Sequence, residues 1–374
     1  MTPQISLDPG FSTEAMSAVY SPEETVGAIL RFEAALASSL AEAGLAPHDQ
    51  AAAVAEACAA GIHDAEAIIA STWENGTPIL ALRSAIEEKV DAEVSRWFHF
   101  GATTQDAVDT GQMIQARSAL DLLESALIDI ARRLRHLTET YRDQPHMGRT
   151  FLQDAVPTTF GFRTAGWLHA VLTHMTRLRT ARSQLVIQLG GPVGMASDYG
   201  ASLSEVVAEL ANRLSLGVPT ISWHTDRTLI RSLAQAAEGV AATMAKIGGD
   251  IALLASSPIA EVAVRAGASS SMPGKQNPLD SVRAVAAARV CAGAVAMLSG
   301  TSHELDRGVG GWHVEWVALP LVFQASAAAV EATSASLVSL TVDAEVMSAN
   351  SRGGAPATTQ IDAVLAVYDQ IVPS

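Results

Sequence analysis

Four polar, glycine-bearing segments interrupt a chain otherwise dominated by alanine and aliphatic residues, and such interruptions are where chemistry belongs. One is the run Ser269-Ser270-Ser271-Met272-Pro273-Gly274-Lys275-Gln276-Asn277-Pro278. It makes a loop with hydroxyls at one end. At the other, an ammonium and an amide stand side by side and suit an anion. A plain surface linker is the alternative, weakened by the Lys275-x-Asn277 pairing. A second segment runs from His99 to Asp106. Thr103 and Thr104 place hydroxyls beside the free N–H groups of a helix N-terminus, which suits a carboxylate. On the residues alone, simple capping by Thr104 or Asp106, with His99 packed, is the plainer reading. In the third segment, Gly148 to Thr159, Arg149 and Gln153 can bind a carboxylate. A connecting loop with Arg149 paired to Asp154 explains the same residues equally well. The fourth, His303 to Trp316, offers two histidines and two glutamates, but Arg307 stands four residues after His303, which argues against a zinc helix and any metal. Gly190-Gly191-Pro192-Val193-Gly194 follows no evident strand and contains proline, so it makes a poor dinucleotide loop.

The elements that must position these segments read as helices. Apolar residues make up 49% of 374, enough for a sizeable core, and aromatics only 5%, while alanine, the best helix former, is abundant. The net charge of -15 repels phosphate backbones and argues against a nucleic-acid partner. An anionic substrate then requires basic residues gathered locally. Cys58 and Cys291 lie in alanine-rich stretches and read as buried free thiols. The N-terminus lacks a basic region followed by an apolar one, and Arg, Asp or Gly breaks the apolar runs. The expectation is a soluble cytoplasmic protein with no membrane partner.

Ser21-Pro22-Glu23-Glu24 reads as the cap and first turn of a helix that ends near Gly44, and Asn75-Gly76-Thr77-Pro78 as a turn. From about 106 to 142, apolar residues recur every three and four positions at Met113, Ala116, Leu120, Leu123, Leu127, Ile130, Leu134 and Leu137. This heptad seam predicts a helix about 50 Å long, longer than one small domain needs. Further helices are expected over 158–187, 226–256, 278–300 and 316–341. No alternating strand pattern and no repeat is evident. The fold class is all-α, a bundle of long helices. The expected units are an N-terminal helical domain over 1–105, the bundle over 106–345 and a short remnant over 346–374.

Together the segments resemble one superfamily. Ser269 to Pro278 is similar to the signature S-S-x-M-P-x-K-x-N-P of the fumarase/aspartase superfamily. His99-Phe100-Gly101-Ala102-Thr103-Thr104-Gln105-Asp106, continuing to Asp109-Thr110, resembles the corresponding segment of adenylosuccinate lyases and carboxymuconate cycloisomerases, and its G-A-T-T-Q-D form leans to the latter. Gly148-Arg149-Thr150 with Gln153, Trp223-His224-Thr225 and Gly310-Gly311-Trp312-His313-Val314-Glu315-Trp316 point the same way. The resemblance covers about 19–350. It implies a cofactor-free homotetramer whose active sites draw segments from different subunits. It further implies a small polycarboxylate substrate, 3-carboxy-cis,cis-muconate, and a C-terminal domain that is much reduced here.

By position the resemblance makes Ser269 the catalytic serine, with Ser270 and Met272 beside it. Lys275 and Asn277 bind a substrate carboxylate and the charge that develops on it. Thr103, Thr104, Gln105, Arg149, Thr150 and Gln153 are the remaining substrate-binding positions, with His99 nearby and catalytic. The implied intermediate is an aci-carboxylate, which preorganised donors stabilise most where its charge develops. Lyases that expel amines carry histidine after G-R-T, whereas this chain has Phe151. Lactonisation uses the substrate's own carboxylate, which needs no proton to leave, so the loss suits a cycloisomerase. Ala268 replaces the usual glycine. The rivals are another lyase of the superfamily releasing fumarate, and an inactive scaffold.

Overall fold

In the computed structural model, residues 10–62, 64–267, 271–272, 274–299, 303–353 and 358–373 are described. Ser269, Ser270 and Ala268 therefore lie outside the described residues. Six helices open the chain: α1 (Glu14–Val19), α2 (Pro22–Glu42), α3 (His48–Ala59), α4 (Ala65–Asn75), α5 (Ile79–Glu87) and α6 (Ala92–Ser95). Ser21 caps α2, its hydroxyl accepting from the Glu24 N–H, with Pro22 in the first turn. Gly76 ends α4 in the left-handed conformation.

The long element is α7 (Thr104–Thr140), 37 residues. Met113, Ala116, Leu120, Leu123, Leu127, Ile130 and Leu134 of the heptad seam are fully buried or nearly so. They meet α8 (Phe160–Ser183), α10 (Thr228–Leu254) and α12 (Gly311–Ser339) in one core, against which α11 (Leu279–Ser299) also packs. A second core gathers α2 to α5, the first turns of α7, and α9 (Leu203–Leu214). The chain closes with α13 (Ala344–Ser351) and α14 (Gln360–Ile371), the latter lying on α7 and α8. The all-α bundle is thus observed.

Sequence patterning missed two small sheets. β1 (Pro145–Thr150) and β2 (Gln153–Thr159) form an antiparallel hairpin, and β3 (Val262–Ala263) pairs with β4 (Thr341–Val342). The hairpin lacks alternation because its tip stands in the open. Residues 150–156 are exposed on both faces, and burial begins only toward its base. Two helices also depart from expectation. α11 and α12 are long and apolar enough to cross a membrane by length and composition. Alanine supplies that hydropathy without bulk, and both helices pack into the bundle. Cys58 and Cys291 are buried, and burial pushes both thiols up to about 12.

The seam makes stability depend on side chains such as Leu127, which is 0% exposed. Leu127→Ala should cost about 2–5 kcal/mol in urea unfolding. A midpoint unchanged from wild type would show that the core is not where the structure puts it.

Candidate active site

The N-terminus of α7 is tied to several separate stretches of chain. Thr103, in an extended conformation, is the N-cap. Asp106 is not the cap but the third helical residue, and its Oδ2 turns back to accept the Thr103 N–H at 3.0 Å. Asp106 also accepts the N–H groups of Gly190 and Gly191, each at 2.9 Å, and lies 2.7 Å from His224 Nε2. The glycine pair is therefore a brace for this carboxylate. A Cβ on Gly190 would meet His224 at 2.8 Å, and one on Gly191 the Gly101 carbonyl at 2.8 Å, so neither position tolerates a side chain.

One turn on, Asp109 binds Arg227. Both Arg227 terminal nitrogens donate to Asp109, at 2.7 and 2.9 Å, and the guanidinium also reaches Glu315 at 2.6 Å. Burial alone would pull the Arg227 pKa down. Asp109 and Glu315 outweigh it and hold the guanidinium charged. Trp312 donates its indole N–H to Asp109 at 2.9 Å. His303 sits 3.5 Å from Glu315, and burial, with Arg227 nearby, lowers its pKa.

The structure places the expected residues as follows. Thr103 Oγ1 accepts from Arg307 at 2.9 Å, and Gln105 Oε1 accepts from the same guanidinium at 3.2 Å. Thr104 Oγ1 lies 2.8 Å from Thr77 Oγ1. His99 holds a left-handed φ of 60°, its Nδ1 is 2.6 Å from Glu33, and its own N–H donates to the same carboxylate. These residues form one cluster. Sequence reading used Arg307, which also donates to the Gly191 and Pro192 carbonyls, only as an argument against a metal, and passed over Glu33. A signal for Glu33 existed: it is a carboxylate amid the apolar run of α2, and it is fully buried.

The remaining residues lie elsewhere. Thr150 and Gln153 flank the exposed hairpin tip. Arg149 pairs with Asp154 at 3.2 Å, as the connecting-loop reading had it, and also with Glu261 at 2.6 and 3.1 Å. Lys275 and Met272 are exposed, and Asn277 is half-buried with its backbone carbonyl accepting from Gly267. The hairpin follows the C-terminus of α7, whose 37 residues span about 55 Å at 1.5 Å rise per residue, and the loop's base is tied through Arg265 to Ser339 at the end of α12 away from Trp312 and Asp109. Among the described residues of one protomer the two sets do not meet.

Glu261 organises that far end. Its carboxylate is fully buried, 3.2 Å from His146 Nδ1, and accepts from Arg149 and, at 3.0 Å, from Asn350. Burial would raise its pKa. The donors from His146, Arg149 and Asn350 prevail and bring it down to about 2.

Residues 11–335 match the lyase family model. A 3-carboxy-cis,cis-muconate cycloisomerase from Pseudomonas aeruginosa is 38% identical over 353 residues, covering 92% of this chain and 77% of that protein. The crystal structure of the 3-carboxy-cis,cis-muconate lactonizing enzyme from Pseudomonas putida superposes with a TM-score of 0.85 at 35% identity, over 91% of this chain and 78% of that one. That of the beta-carboxy-cis,cis-muconate cycloisomerase from Acinetobacter calcoaceticus gives 0.84 at 30%, with the same coverages.

The Glu261 carboxyl lies below its unfolded value of 4.5, so its stabilisation is complete above that pH and is lost as pH falls toward 2. Glu261→Gln should therefore flatten the acid limb of stability between those values. Parallel pH profiles of denaturant midpoint for wild type and variant would show that the carboxylate does not carry the effect.

Proposed function

The chain belongs to the lyase family, and on that premise we propose that it is a 3-carboxy-cis,cis-muconate cycloisomerase. The observation carrying the reading is Phe151. It is 99% exposed at the tip of the β1–β2 hairpin, where amine-expelling relatives place a histidine acid. A phenyl ring donates no proton. The reaction must then be one whose attacking group is already anionic.

The substrate's own carboxylate oxygen attacks across the conjugated double bond. A C–O bond closes the lactone ring, and the displaced electron pair moves toward the neighbouring carboxylate as an aci-carboxylate. Lys275 and Asn277 face that developing charge, where donors act most strongly. Ser269 delivers a proton to the carbon and regains one from solvent. Thr103, Thr104, Gln105, Arg149, Thr150 and Gln153, with Ser270 and Met272, hold the other carboxylates, and His99, oriented by Glu33, stands beside them. No cofactor or metal is needed for this chemistry.

The separation of these residues supports a homotetramer with shared sites. Phe151 and Leu152, with φ of 51° and 62°, form a two-residue turn that usually demands Asn-Gly. Leu152 is 72% exposed, and α11 leaves Val282 and Met297 open at 53% and 41%. Partner subunits covering these surfaces account for that exposure. The protein then acts in the cytoplasm, on a small polycarboxylate, without nucleic acid or membrane.

Purified protein should consume 3-carboxy-cis,cis-muconate, read as loss of diene absorbance, with Ser269→Ala slower by orders of magnitude and equally helical. Wild-type-like turnover in that variant would remove Ser269 from the mechanism, and an inert wild type would return the weight to a fumarate-releasing lyase. Co-expressing Ser269→Ala with Thr103→Ala should restore turnover that neither has alone. Failure to complement, with both variants folded, would mean that each site is built within one subunit.

A further inference from the structure

Glu33 is a fully buried carboxylate in the middle of α2, next to Phe32 and among the apolar residues of the second core. One residue takes both of its oxygens. Oε2 accepts the His99 N–H at 2.9 Å, and Oε1 lies 2.6 Å from His99 Nδ1. Among the described residues, no lysine or arginine pairs with Glu33. Lys89 directs its ammonium to the Ala57 and Gly61 carbonyls instead. Arg83 of α5 donates to the Phe98 carbonyl at 3.2 Å. The other titratable groups that feel the Glu33 charge are Cys58 of α3 and Tyr199, and burial first, then neighbouring carboxylates, keep both neutral. A buried carboxylate without a cation is costly, and such groups are ordinarily paired.

His99 meets this carboxylate in a conformation that most residues avoid. Its φ of 60° is left-handed, and that backbone turns the N–H and the ring toward one partner. Because a carboxylate accepts at Nδ1, the neutral ring carries its proton there. Nε2 is then the free nitrogen. It makes no bond within the protein, and it is not among the buried polar atoms left unpaired. With 10% of the side chain exposed, Nε2 opens to solvent. His99 belongs to the Thr103 cluster, where Arg307 is the arginine and Asp106 and Glu33 are carboxylates. A polycarboxylate entering this cluster, in a chain of net charge -15, gains from any further positive charge. A proton on Nε2 provides it. The imidazolium then lies between Glu33 and the incoming anion, and both favour the charged ring.

We infer that His99 binds a carboxylate of the substrate through Nε2, taking up a proton from solvent as the anion enters, and that Glu33 is the positioning residue that holds Nδ1 and balances the charge. The inference rests on the Thr103 cluster being a polycarboxylate site, and adds that binding there is coupled to a proton. No bond of the substrate forms or breaks in this step. The sign of the pH dependence follows. Anion affinity is greatest where the ring is protonated, and it falls as pH rises through the range in which histidine titrates.

The probe is tricarballylate, a saturated tricarboxylate with no double bond to lactonise. It is titrated calorimetrically into the full chain at about pH 8, where histidine is ordinarily neutral, in Hepes and in Tris. The two buffers differ in ionisation enthalpy, so the difference in heat gives the protons taken up per site. Saturable binding is expected, with a substantial fraction of a proton taken up. His99→Asn suits the left-handed backbone, and should abolish the uptake and weaken binding about tenfold, the scale of one lost hydrogen bond to a charged group. Glu33→Gln keeps the shape but removes the charge and should reduce both, whereas Glu33→Asp, which keeps the charge, should restore part of the uptake. If Glu33→Gln loses its helical circular dichroism, His99→Asn decides. No saturable binding to wild type, binding without proton uptake, or uptake unchanged in His99→Asn or in folded Glu33→Gln would each overturn the inference. Turnover of 3-carboxy-cis,cis-muconate beside such a result would sink the proton coupling alone, whereas neither turnover nor binding would sink the polycarboxylate site with it.

Discussion

Arg227 lies between Asp109 and Glu315 with almost none of its side chain in water, and the architecture around the α7 N-terminus is arranged about that fact. Two carboxylates and one guanidinium, all buried, join the start of α10 to the first turns of α7 and α12. Such a group adds little net stability over apolar packing, yet removing one member leaves a charge stranded, at a cost of about 3–5 kcal/mol. Its contribution is register. Trp312 completes the set by donating to Asp109, and Trp223 stacks on the guanidinium at 4.8 Å from ring centre to charge centre. The three helices cannot slide past each other by a turn without breaking all of these contacts at once.

The same device recurs at smaller scale on either side. Asp106 collects four donors from three separate stretches of chain and so fixes the 190–191 loop and His224 against the helix start. Glu261 does likewise at the opposite end for the hairpin, through Arg149, His146 and Asn350. In an alanine-rich bundle, side chains are too small to specify orientation by shape alone. Buried carboxylates with several directional donors supply what shape does not.

A helix of 37 residues imposes the second constraint. It holds the Thr103 cluster and the Lys275 loop too far apart for one small molecule to touch both. A reaction that uses both sets of residues therefore requires copies of the chain arranged so that opposite ends meet. The open hairpin tip, with two apolar residues in strained turn geometry, is the sort of surface such an arrangement would cover. The fold thus bears on assembly through length alone.

Much was legible from residue order. Alanine content and the heptad seam from Met113 to Leu134 determined the long helix, because helix propensity and burial period are local properties repeated over many residues. Ser21-Pro22 and Asn75-Gly76 marked boundaries for the same reason: capping and left-handed turns depend on the residues that make them. The motif segments pointed to the superfamily and to Phe151 as the informative departure. What the sequence could not reveal is which distant groups complete each site. Glu33 for His99, Arg307 for Thr103 and Gln105, Arg227 for Asp109, and Glu261 for Arg149 are pairings across 66, 204, 118 and 112 positions. The hairpin escaped notice because its tip has no buried face to impose alternation. Local periodicity determines elements. Only the close packing of those elements decides which buried charge or donor finds a partner, because that is a property of the space between them.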